Sequence, residues 1–353
     1  MKLETGTAVS KAKDLEILLQ YILLVRKYTS DAVKGKSLLR AILLMIQCTI
    51  PKRMKQTRVP CKTQPNNKKN FTTENIPDLT GKVAIVTGGN TGIGYITARE
   101  LARKNAHVFV ASHNKERCES AVEKIKKETG NNQVEFLYLE LGNLKIVKQS
   151  AENFLSKNLP LHILINNAGI FATPWSLTDD GIQDQFGVNY VGHFLKLKLL
   201  HLLESLTSAG IDFDKINQEG VLTPELRYCV SKLAMILFTK SLSKRLEGKE
   251  VYVNSVHPGF VKTEVSRGLV STYGFIAKIS SKVAYTLFAI SSEDGALTPL
   301  YAATSPEIVE RNYRDQYFEP FGMIGNRPAA AQDEELAEKL WKYTEDLINV
   351  KLR

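Results

Sequence analysis

Features that would mark a metalloprotein or a disulfide-stabilised protein are missing from this sequence. The chain has 353 residues but only four cysteines, and no two of them have the spacing of metal ligands. Such cysteines are typical of reduced thiols in an intracellular protein. We therefore expect no metal site, and a location in the cytoplasm or on the cytosolic face of an internal membrane. The cysteines are Cys48, Cys61, Cys118 and Cys229.

Long hydrophobic runs are also absent, since spanning a bilayer needs about 20 apolar residues. The apolar segments at 15–24 and 38–50 are shorter, and Arg40 interrupts the second. Residues 51–70 then contain seven basic residues and no acidic one. An apolar helix followed by a basic run suits the surface of an anionic membrane. The alternative is a disordered linker behind a helix that packs on the main domain.

Excess charge is confined to the start of the chain. Residues 1–70 hold 15 Lys and Arg against 4 Asp and Glu, whereas the whole chain has a net charge of +10. The remaining residues are close to neutral, so the main domain offers no electrostatic support for a nucleic-acid partner. We therefore divide the chain into an N-terminal extension, residues 1–70, and a main domain, residues 71–353.

From about residue 75 the sequence alternates between short apolar β-branched runs and helical patterns. The predicted strands are Val83–Thr87, Val108–Ala111, Val134–Leu139, Ile163–Asn166 and Val251–Val256. The predicted helices are Gly92–Lys104, Glu116–Glu128, Leu144–Lys157, Asp179–Leu206, Glu225–Leu246 and a closing amphipathic helix, Glu334–Ile348, with Trp341 in the core. This alternation predicts an α/β fold with a parallel sheet covered by helices on both faces.

A glycine turn follows the first predicted strand. Gly88, Gly92 and Gly94 come within seven positions of each other, and a helix begins among them. Glycine permits positive φ and a close approach of phosphate to the backbone. The helix N-terminus offers unpaired N–H groups to an anion. The order strand, glycine turn, helix therefore predicts a Rossmann-like, doubly wound sheet that binds a dinucleotide pyrophosphate.

Tyr228 and Lys232 lie four residues apart in a strongly helical segment, so both side chains project from one helix face. A neighbouring ammonium favours the phenolate, so that Tyr228 can act as a general acid or base nearer neutral pH. No other tyrosine of the chain has a lysine four residues on. The alternative is a helix aromatic beside a solvated lysine.

Five motifs in order carry a resemblance to a known family. They are Thr87–Gly94, Asn166–Gly169, Asn189–Phe194, Tyr228–Lys232 and His257–Thr263. With them, the chain from about Asp78 to Ile348 resembles the short-chain dehydrogenases/reductases, and within these the retinol-dehydrogenase-like branch.

The resemblance implies roles for individual residues. Tyr228 would be the proton donor or acceptor, Lys232 would assist it and bind the nicotinamide ribose, and Asn189 would hold a water in the same proton relay. The residues implied in cofactor binding are Gly88, Asn90, Gly92, Ile93 and Gly94 at the pyrophosphate turn, Asn167, Ala168 and Gly169 along the adenosine ribose, Tyr228 and Lys232, and Pro258, Gly259 and Thr263 at the carboxamide.

The residues just after the second strand indicate whether the chain binds NAD or NADP. An acidic residue there would bind the ribose 2′-hydroxyl and repel a 2′-phosphate. This chain has Ser112, His113, Asn114 and Lys115 instead, so we expect NADP, with NAD as the alternative. His113 replaces an arginine common in the branch. Glu140 replaces an aspartate near the adenine and would accept a hydrogen bond from its amino group.

One part of the family pattern is missing. The family places a serine that polarises the substrate carbonyl at the end of a fifth strand, ahead of Tyr228. Residues 207–227 contain no apolar β-branched run, and nothing places Ser205, Thr207 or Ser208 on a strand end. We therefore expect the fifth strand to be lacking or distorted. Either the homologue is catalytically impaired, or the gene model lacks a coding segment, which the abrupt join between intact motifs favours.

The region after Thr263, residues 265–290, is apolar and aromatic with scattered lysines. In this family it covers the substrate, and an apolar cover suits a lipophilic ligand. The expected function is NAD(P)-dependent interconversion of a lipophilic alcohol and carbonyl, such as a retinoid, steroid or fatty aldehyde. The alternative is an NAD(P)-binding protein with impaired catalysis. The sequence leaves the oligomeric state open.

Overall fold

The computed structural model describes residues 71–202 and 216–353. The predictions for residues 1–70, and those for Ser205, Thr207 and Ser208, fall outside these ranges. Where the chain is described, no helix is both long and apolar enough to cross a membrane.

A four-stranded parallel sheet forms the centre of the main domain. Its strands are β1 (Val83–Thr87), β2 (His107–Ser112), β3 (Val134–Tyr138) and β4 (Ile163–Ile165), in the spatial order β3-β2-β1-β4. All five residues of β1 are buried, because a central strand of a parallel sheet is covered by helices on both faces. Four predicted strands are thereby confirmed within one or two residues.

Helices cover both faces of this sheet, and further helices pack elsewhere on the described part of the chain. They are α1 (Gly92–Arg103), α2 (Lys115–Thr129), α3 (Leu144–Leu155), α5 (Pro224–Arg245), α6 (Arg267–Phe288), α7 (Ser292–Thr304), α8 (Glu307–Glu310) and α9 (Glu334–Lys351). Helix α4 is a run of four segments, Asp184–Phe186, Gly187–Val191, Gly192–Leu197 and Lys198–Leu202, of which the second and fourth are π-helical. One core lies between the sheet and α1, α2 and α7, and the other between the sheet and α3, α4, α5 and α9. The Rossmann-like α/β prediction is therefore confirmed.

Helix α9 closes the second core. Trp341 is 2 % exposed and packs against Phe194 of α4 and Phe238 of α5, with ring centroids 4.8 Å and 5.6 Å away. The prediction that Trp341 is a core residue is therefore confirmed.

The predicted helix start at Asp179 is wrong, since α4 begins at Asp184. Residues 178–181 form a turn in which the Gly181 N–H donates to the Thr178 carbonyl over 2.8 Å. The two aspartates of this turn serve another helix. Asp180 accepts the backbone N–H of Leu144, the first residue of α3, over 2.8 Å, and Asp179 accepts the Asn143 side-chain amide over 2.9 Å.

The predicted strand Val251–Val256 is largely wrong. Only β5 (Ser255–Val256) is a strand, and it pairs with β6 (Tyr317–Glu319), which in turn pairs with β7 (Met323–Ile324). In the described ranges no strand lies between β4 and β5 along the chain, so β5 has no partner that would join it to the main sheet. The described residues therefore form two separate sheets, while residues 203–215, where part of the fifth strand was expected, lie outside the described ranges.

Lys196 is an unusual residue in the second core. It lies in α4 with no exposed surface, and its Nζ finds no hydrogen-bond partner among the described residues. Burial lowers its pKa from 10.5 to about 7, because an ammonium group loses its hydration there. Keeping this lysine charged therefore reduces the stability of the fold.

Replacing Lys196 by methionine should raise the free energy of unfolding at pH 6.5 by more than about 1 kcal/mol, because an apolar chain of similar length replaces the buried amine. The unfolded state binds more protons than the folded state above pH 7, so this lysine makes wild-type stability rise with pH from about 6.5 to 8.5. The variant should lose that rise. Chemical denaturation across this range measures both effects.

The matched control is Lys148→Met, since the Lys148 side chain on α3 is 52 % exposed. It should change stability by less than about 0.5 kcal/mol. An unchanged pH slope in Lys196→Met would contradict the assignment of that slope to Lys196.

Candidate functional site

The glycine turn has the conformation that its sequence predicts. Gly88 and Gly92 have φ of +63° and +55°, and a Cβ on Gly94 would come within 2.3 Å of the Gly88 carbonyl oxygen. Helix α1 starts here, and its N-cap residue Thr91 makes no side-chain capping hydrogen bond. The first N–H groups of α1 and a backbone without side chains thus form a cradle that fits a pyrophosphate.

The loop after β4 lies directly against this turn. The Asn167 amide donates to the Thr87 carbonyl over 2.8 Å, and the Ala168 N–H donates to Thr87 Oγ1 over 3.0 Å. A Cβ on Gly88 would stand 3.0 Å from Ala168 Cα. The structure therefore brings two of the predicted cofactor-binding loops together at the carboxyl edge of the sheet, where open α/β sheets bind their ligands.

Asn189 joins the same loop to helix α5. Its Oδ1 accepts from the Ile170 N–H over 2.8 Å, and its Nδ2 donates to the Ile170 carbonyl and to Ser231 Oγ over 3.0 Å and 2.9 Å. Asn189 lies in the π-helical segment of α4, and such segments are frequent at functional sites. Both Nδ2 protons are thus used within the protein, while Oδ1 keeps a second lone pair, and the water that Asn189 would hold stays a prediction.

His193 was missed by sequence reasoning. It is completely buried, and its Nδ1 lies 3.0 Å from the Asn189 carbonyl oxygen. A carbonyl only accepts, so Nδ1 carries the proton and Nε2 accepts from Thr87 Oγ1 over 2.9 Å. Burial lowers the pKa of His193 to about 3, which keeps the ring neutral. The only sequence signal is its position one helical turn after Asn189.

Tyr228 and Lys232 meet beside this network. Lys232 Nζ lies 5.3 Å from the centre of the Tyr228 ring. A Cβ on Gly169 would stand 3.3 Å from Lys232 Nζ and 3.2 Å from Asn189 Oδ1. The predicted catalytic residues therefore converge on the loop after β4. Burial lowers the pKa of Lys232 to about 8, and the Phe171 ring packs edge-on against Tyr228 at 4.8 Å.

The residues predicted to hold the nicotinamide carboxamide follow β5 along the chain. A Cβ on Gly92 would stand 3.2 Å from Thr263 Cγ2, so Thr263 faces the glycine turn. Gly259 has φ of +92°, and its N–H donates to His257 Nδ1 over 3.3 Å. Pro258 stands between these two residues in the same turn. This placement agrees with the expected neighbourhood of Gly259 and Thr263, whereas their contact with a carboxamide stays a prediction.

His113 and Glu140 lie at the ends of neighbouring strands. The His113 side chain is 68 % exposed, and its Nδ1 lies 4.0 Å from Glu140 Oε2. Glu140 Oε1 accepts the Gly142 N–H over 3.1 Å, so one carboxylate oxygen already stabilises its own turn. The predicted hydrogen bond from Glu140 to an adenine amino group would have to use the other oxygen.

A groove of about 500 Å³ adjoins the pyrophosphate cradle between α1 and α2. Its lining includes Asn90, Thr91 and Gly92 from the turn, and the charged residues Glu116, Arg117 and Lys124 from α2. Sequence reasoning selected Asn90 but missed the two basic residues, which lie one and three helical turns into α2. Arg117 Nη1 is 3.5 Å from Glu264 Oε2, an exposed pair that leaves the other guanidinium donors available.

Comparisons with known proteins agree with this geometry. Residues 82–274 match the short chain dehydrogenase family. Human retinol dehydrogenase 13 is 38% identical over 288 residues, which cover 77% of this chain and 86% of that protein. Human polyprenol dehydrogenase is 37% identical over 254 residues, 66% of this chain and 75% of that protein. An uncharacterized oxidoreductase of Schizosaccharomyces pombe is 37% identical over 79% of this chain and 88% of its own length.

Solved structures show the same fold. An uncharacterized protein from Mycobacterium paratuberculosis superposes with a TM-score of 0.62 and 30% identity, over 80% of this chain and 98% of its own. A blue fluorescent protein from a metagenomic library, solved with NADPH, has a TM-score of 0.52 at 23% identity, over 69% of this chain and 98% of its own.

The chain therefore belongs to the short-chain dehydrogenase/reductase family of oxidoreductases, whose members bind a nicotinamide cofactor. Within that family it is a member of the retinol-dehydrogenase-like branch.

Gly94→Ala should destabilise the protein by about 1–3 kcal/mol and weaken cofactor binding, because the new methyl group overlaps the Gly88 carbonyl and the Asn167 amide. Thermal unfolding with and without NADPH measures both effects. The control is Gly142→Ala, where the nearest atom stands 3.4 Å from the added Cβ. Wild-type NADPH stabilisation in Gly94→Ala would contradict the proposed cradle.

Proposed function

We propose that this protein interconverts a lipophilic alcohol and its carbonyl compound with NADP, and that Tyr228 transfers the proton. The observation that carries the proposal is the convergence of Tyr228, Lys232 and Asn189 on the loop that follows β4. The nicotinamide cofactor, when bound, supplies or accepts the hydride.

The proton chemistry follows from the residues around Tyr228. In the reductive direction its hydroxyl donates a proton to the substrate oxygen, and the resulting phenolate is stabilised by the Lys232 ammonium. With a pKa of about 8, Lys232 remains mainly protonated at neutral pH. Asn189 orients the loop at Ile170 and supports α5 through Ser231, which fixes the distance between the two elements.

A lipophilic substrate is supported by the surroundings of Tyr228. Helix α6 is largely apolar and contacts the loop beside Tyr228, where Thr272 Oγ1 donates to the Ala172 carbonyl over 2.6 Å. Phe171, in the same loop, packs on the Tyr228 ring. The names of the relatives, retinol and polyprenol dehydrogenases, refer to long apolar alcohols.

The charged residues after β2 and in the neighbouring groove support NADP rather than NAD as the cofactor. Asn114, after β2, caps α2 by accepting the Arg117 N–H over 2.9 Å, and no acid occupies residues 112–115. In the groove beside the pyrophosphate cradle, the two cations Arg117 and Lys124 outnumber the one acidic residue, Glu116. A guanidinium is well suited to bind a 2′-phosphate.

Tyr228→Phe should lower kcat with NADPH and a panel of lipophilic aldehydes by about 10²–10⁴-fold, because general acid catalysis contributes that much. The control is Tyr343→Phe on α9. NADPH should still raise the melting temperature of Tyr228→Phe, which separates lost chemistry from lost binding. Equal turnover by wild type and Tyr228→Phe would refute the role of Tyr228.

Arg117→Ala should raise KM for NADPH about tenfold or more while leaving KM for NADH nearly unchanged, because a charge-assisted hydrogen bond to the 2′-phosphate is lost. Steady-state kinetics with both cofactors checks this. The control is Arg311→Ala, an exposed arginine paired with Glu307 on α8. An equal rise in KM for both cofactors would contradict a 2′-phosphate role.

A second candidate function is cofactor binding with severely reduced turnover. It is favoured by the two separate sheets of the described residues, because the family carries its carbonyl-polarising serine on a strand between β4 and β5 and the described residues contain none there. Loss of one preorganised donor to an oxyanion costs about 10²–10³ in rate. NADPH would then raise the melting temperature of the wild type without measurable turnover of any aldehyde in the panel.

We further propose that residues 1–70 form an N-terminal extension that contacts an anionic membrane on the cytosolic side. The support is the concentration of basic residues there together with two apolar segments.

A further inference from the structure

Helix α6 has two distinct faces. The residues that face the protein are small or aliphatic, namely Leu269, Ala277, Ser281 and Ala284, and none is more than 6 % exposed. On the opposite face Phe275 is 73 % exposed and Ile279 is 41 % exposed. A single exposed apolar side chain is common on protein surfaces, whereas two of them beside each other on one helix face form a small patch that another phase or molecule can cover.

Lysines share this outer face with the two apolar residues. Phe275, Lys278, Ile279 and Lys282 follow the spacing i, i+3, i+4 and i+7, so they form one stripe along the helix. Both lysines are exposed, and no carboxylate of the described residues lies within salt-bridge distance of either. Helix α6 itself contains no acidic residue. The stripe is thus apolar and positively charged at once.

We propose that this stripe docks on the surface of an anionic phospholipid bilayer. Phe275 and Ile279 enter the boundary between headgroups and acyl chains, while Lys278 and Lys282 bind lipid phosphate or carboxylate groups. Charge complementarity favours an anionic bilayer as the partner of this stripe, because an uncharged apolar partner would leave the two ammonium groups without counter-charges.

The backbone supports this orientation of the stripe. Gly274 has φ of +70° and ψ of −149°, so the helix is interrupted immediately before Phe275. The half before the break is held to the protein, since Tyr273 OH donates to Glu225 Oε1 over 2.7 Å and Thr272 Oγ1 donates to the Ala172 carbonyl. The half after the break presents the stripe outwards.

Docking through α6 would place the loop beside Tyr228 next to the membrane. A substrate dissolved in the bilayer would then reach the site without crossing water. This last consequence rests on the proposed function, whereas docking itself does not.

The test uses the full chain carrying Phe275→Trp, with vesicles of phosphatidylcholine and phosphatidylserine that contain brominated acyl chains. Bromine quenches only indole groups that enter the bilayer, so the readout reports on position 275 even when residues 1–70 also bind. The control is Val309→Trp on α8, a site that is 59 % exposed. The fluorescence emission of the wild type is subtracted to remove the contribution of its two native tryptophans.

We expect the emission from position 275 to shift to the blue and to be quenched, and that from position 309 to remain unchanged. Adding Lys278→Gln and Lys282→Gln should reduce quenching at a limiting lipid concentration and weaken partitioning about tenfold or more. Circular dichroism confirms that the variants fold.

Three results would overturn the proposal. One is the absence of quenching at position 275 on vesicles that bind the protein. Another is equal quenching on vesicles of phosphatidylcholine alone with the lysines replaced. The third is a blue shift at position 275 that needs no lipid and rises with protein concentration, which would assign the stripe to a second copy of the chain. None of these readouts depends on turnover, so they distinguish docking from the proposed reaction.

Discussion

The architecture of the site depends on one buried hydroxyl. Thr87 Oγ1, at the end of β1, accepts the Ala168 N–H and donates to His193 Nε2. Through these two bonds it fixes the loop after β4 and helix α4 on either side of the glycine turn. Because His193 is neutral and donates its other proton to the Asn189 carbonyl, the same chain of bonds reaches a predicted catalytic residue. Thr87, Asn189 and His193 are buried and every group in the chain is paired, which makes the arrangement rigid.

The part of the molecule beyond β4, around Tyr228 and the turn at Gly259, lacks a comparable support. The residues of β4 are only partly buried, and β4 pairs with β1 alone in the described ranges. A parallel strand normally has a partner on each side unless it forms an edge. In the described ranges no strand therefore joins β4 to β5. The Lys196 amine, which has no hydrogen-bond partner among the described residues, adds a further cost in the core between the sheet and α4.

Local sequence signals predicted the parts of the structure that depend on local geometry. The glycine turn follows from the conformations that only glycine adopts easily, and the Tyr228 and Lys232 pair from helical spacing. His193 escaped notice because its partner Thr87 is 106 positions away. The aspartates of the 178–181 turn were assigned to a helix since their capping of α3 is a tertiary contact. Val251–Val256 has a strand-like composition, but composition does not show whether a neighbouring strand is available for pairing, and among the described residues none joins it to the main sheet.

The pyrophosphate cradle and the surroundings of Tyr228 depend differently on a strand between β4 and β5, of which the described residues contain none. The pyrophosphate cradle needs β1, the start of α1 and the loop after β4, all of which are present and mutually bonded. In the proposed reaction, proton transfer would use Tyr228 and Lys232, which α5 carries, and Asn189 contacts α5 through Ser231. Only the polarisation of the substrate oxygen would require a donor that the family places on a strand of which the described residues between β4 and β5 contain none. The groups proposed for the pyrophosphate and the donor expected for the substrate oxygen therefore belong to separate elements, so pyrophosphate binding does not depend on that donor.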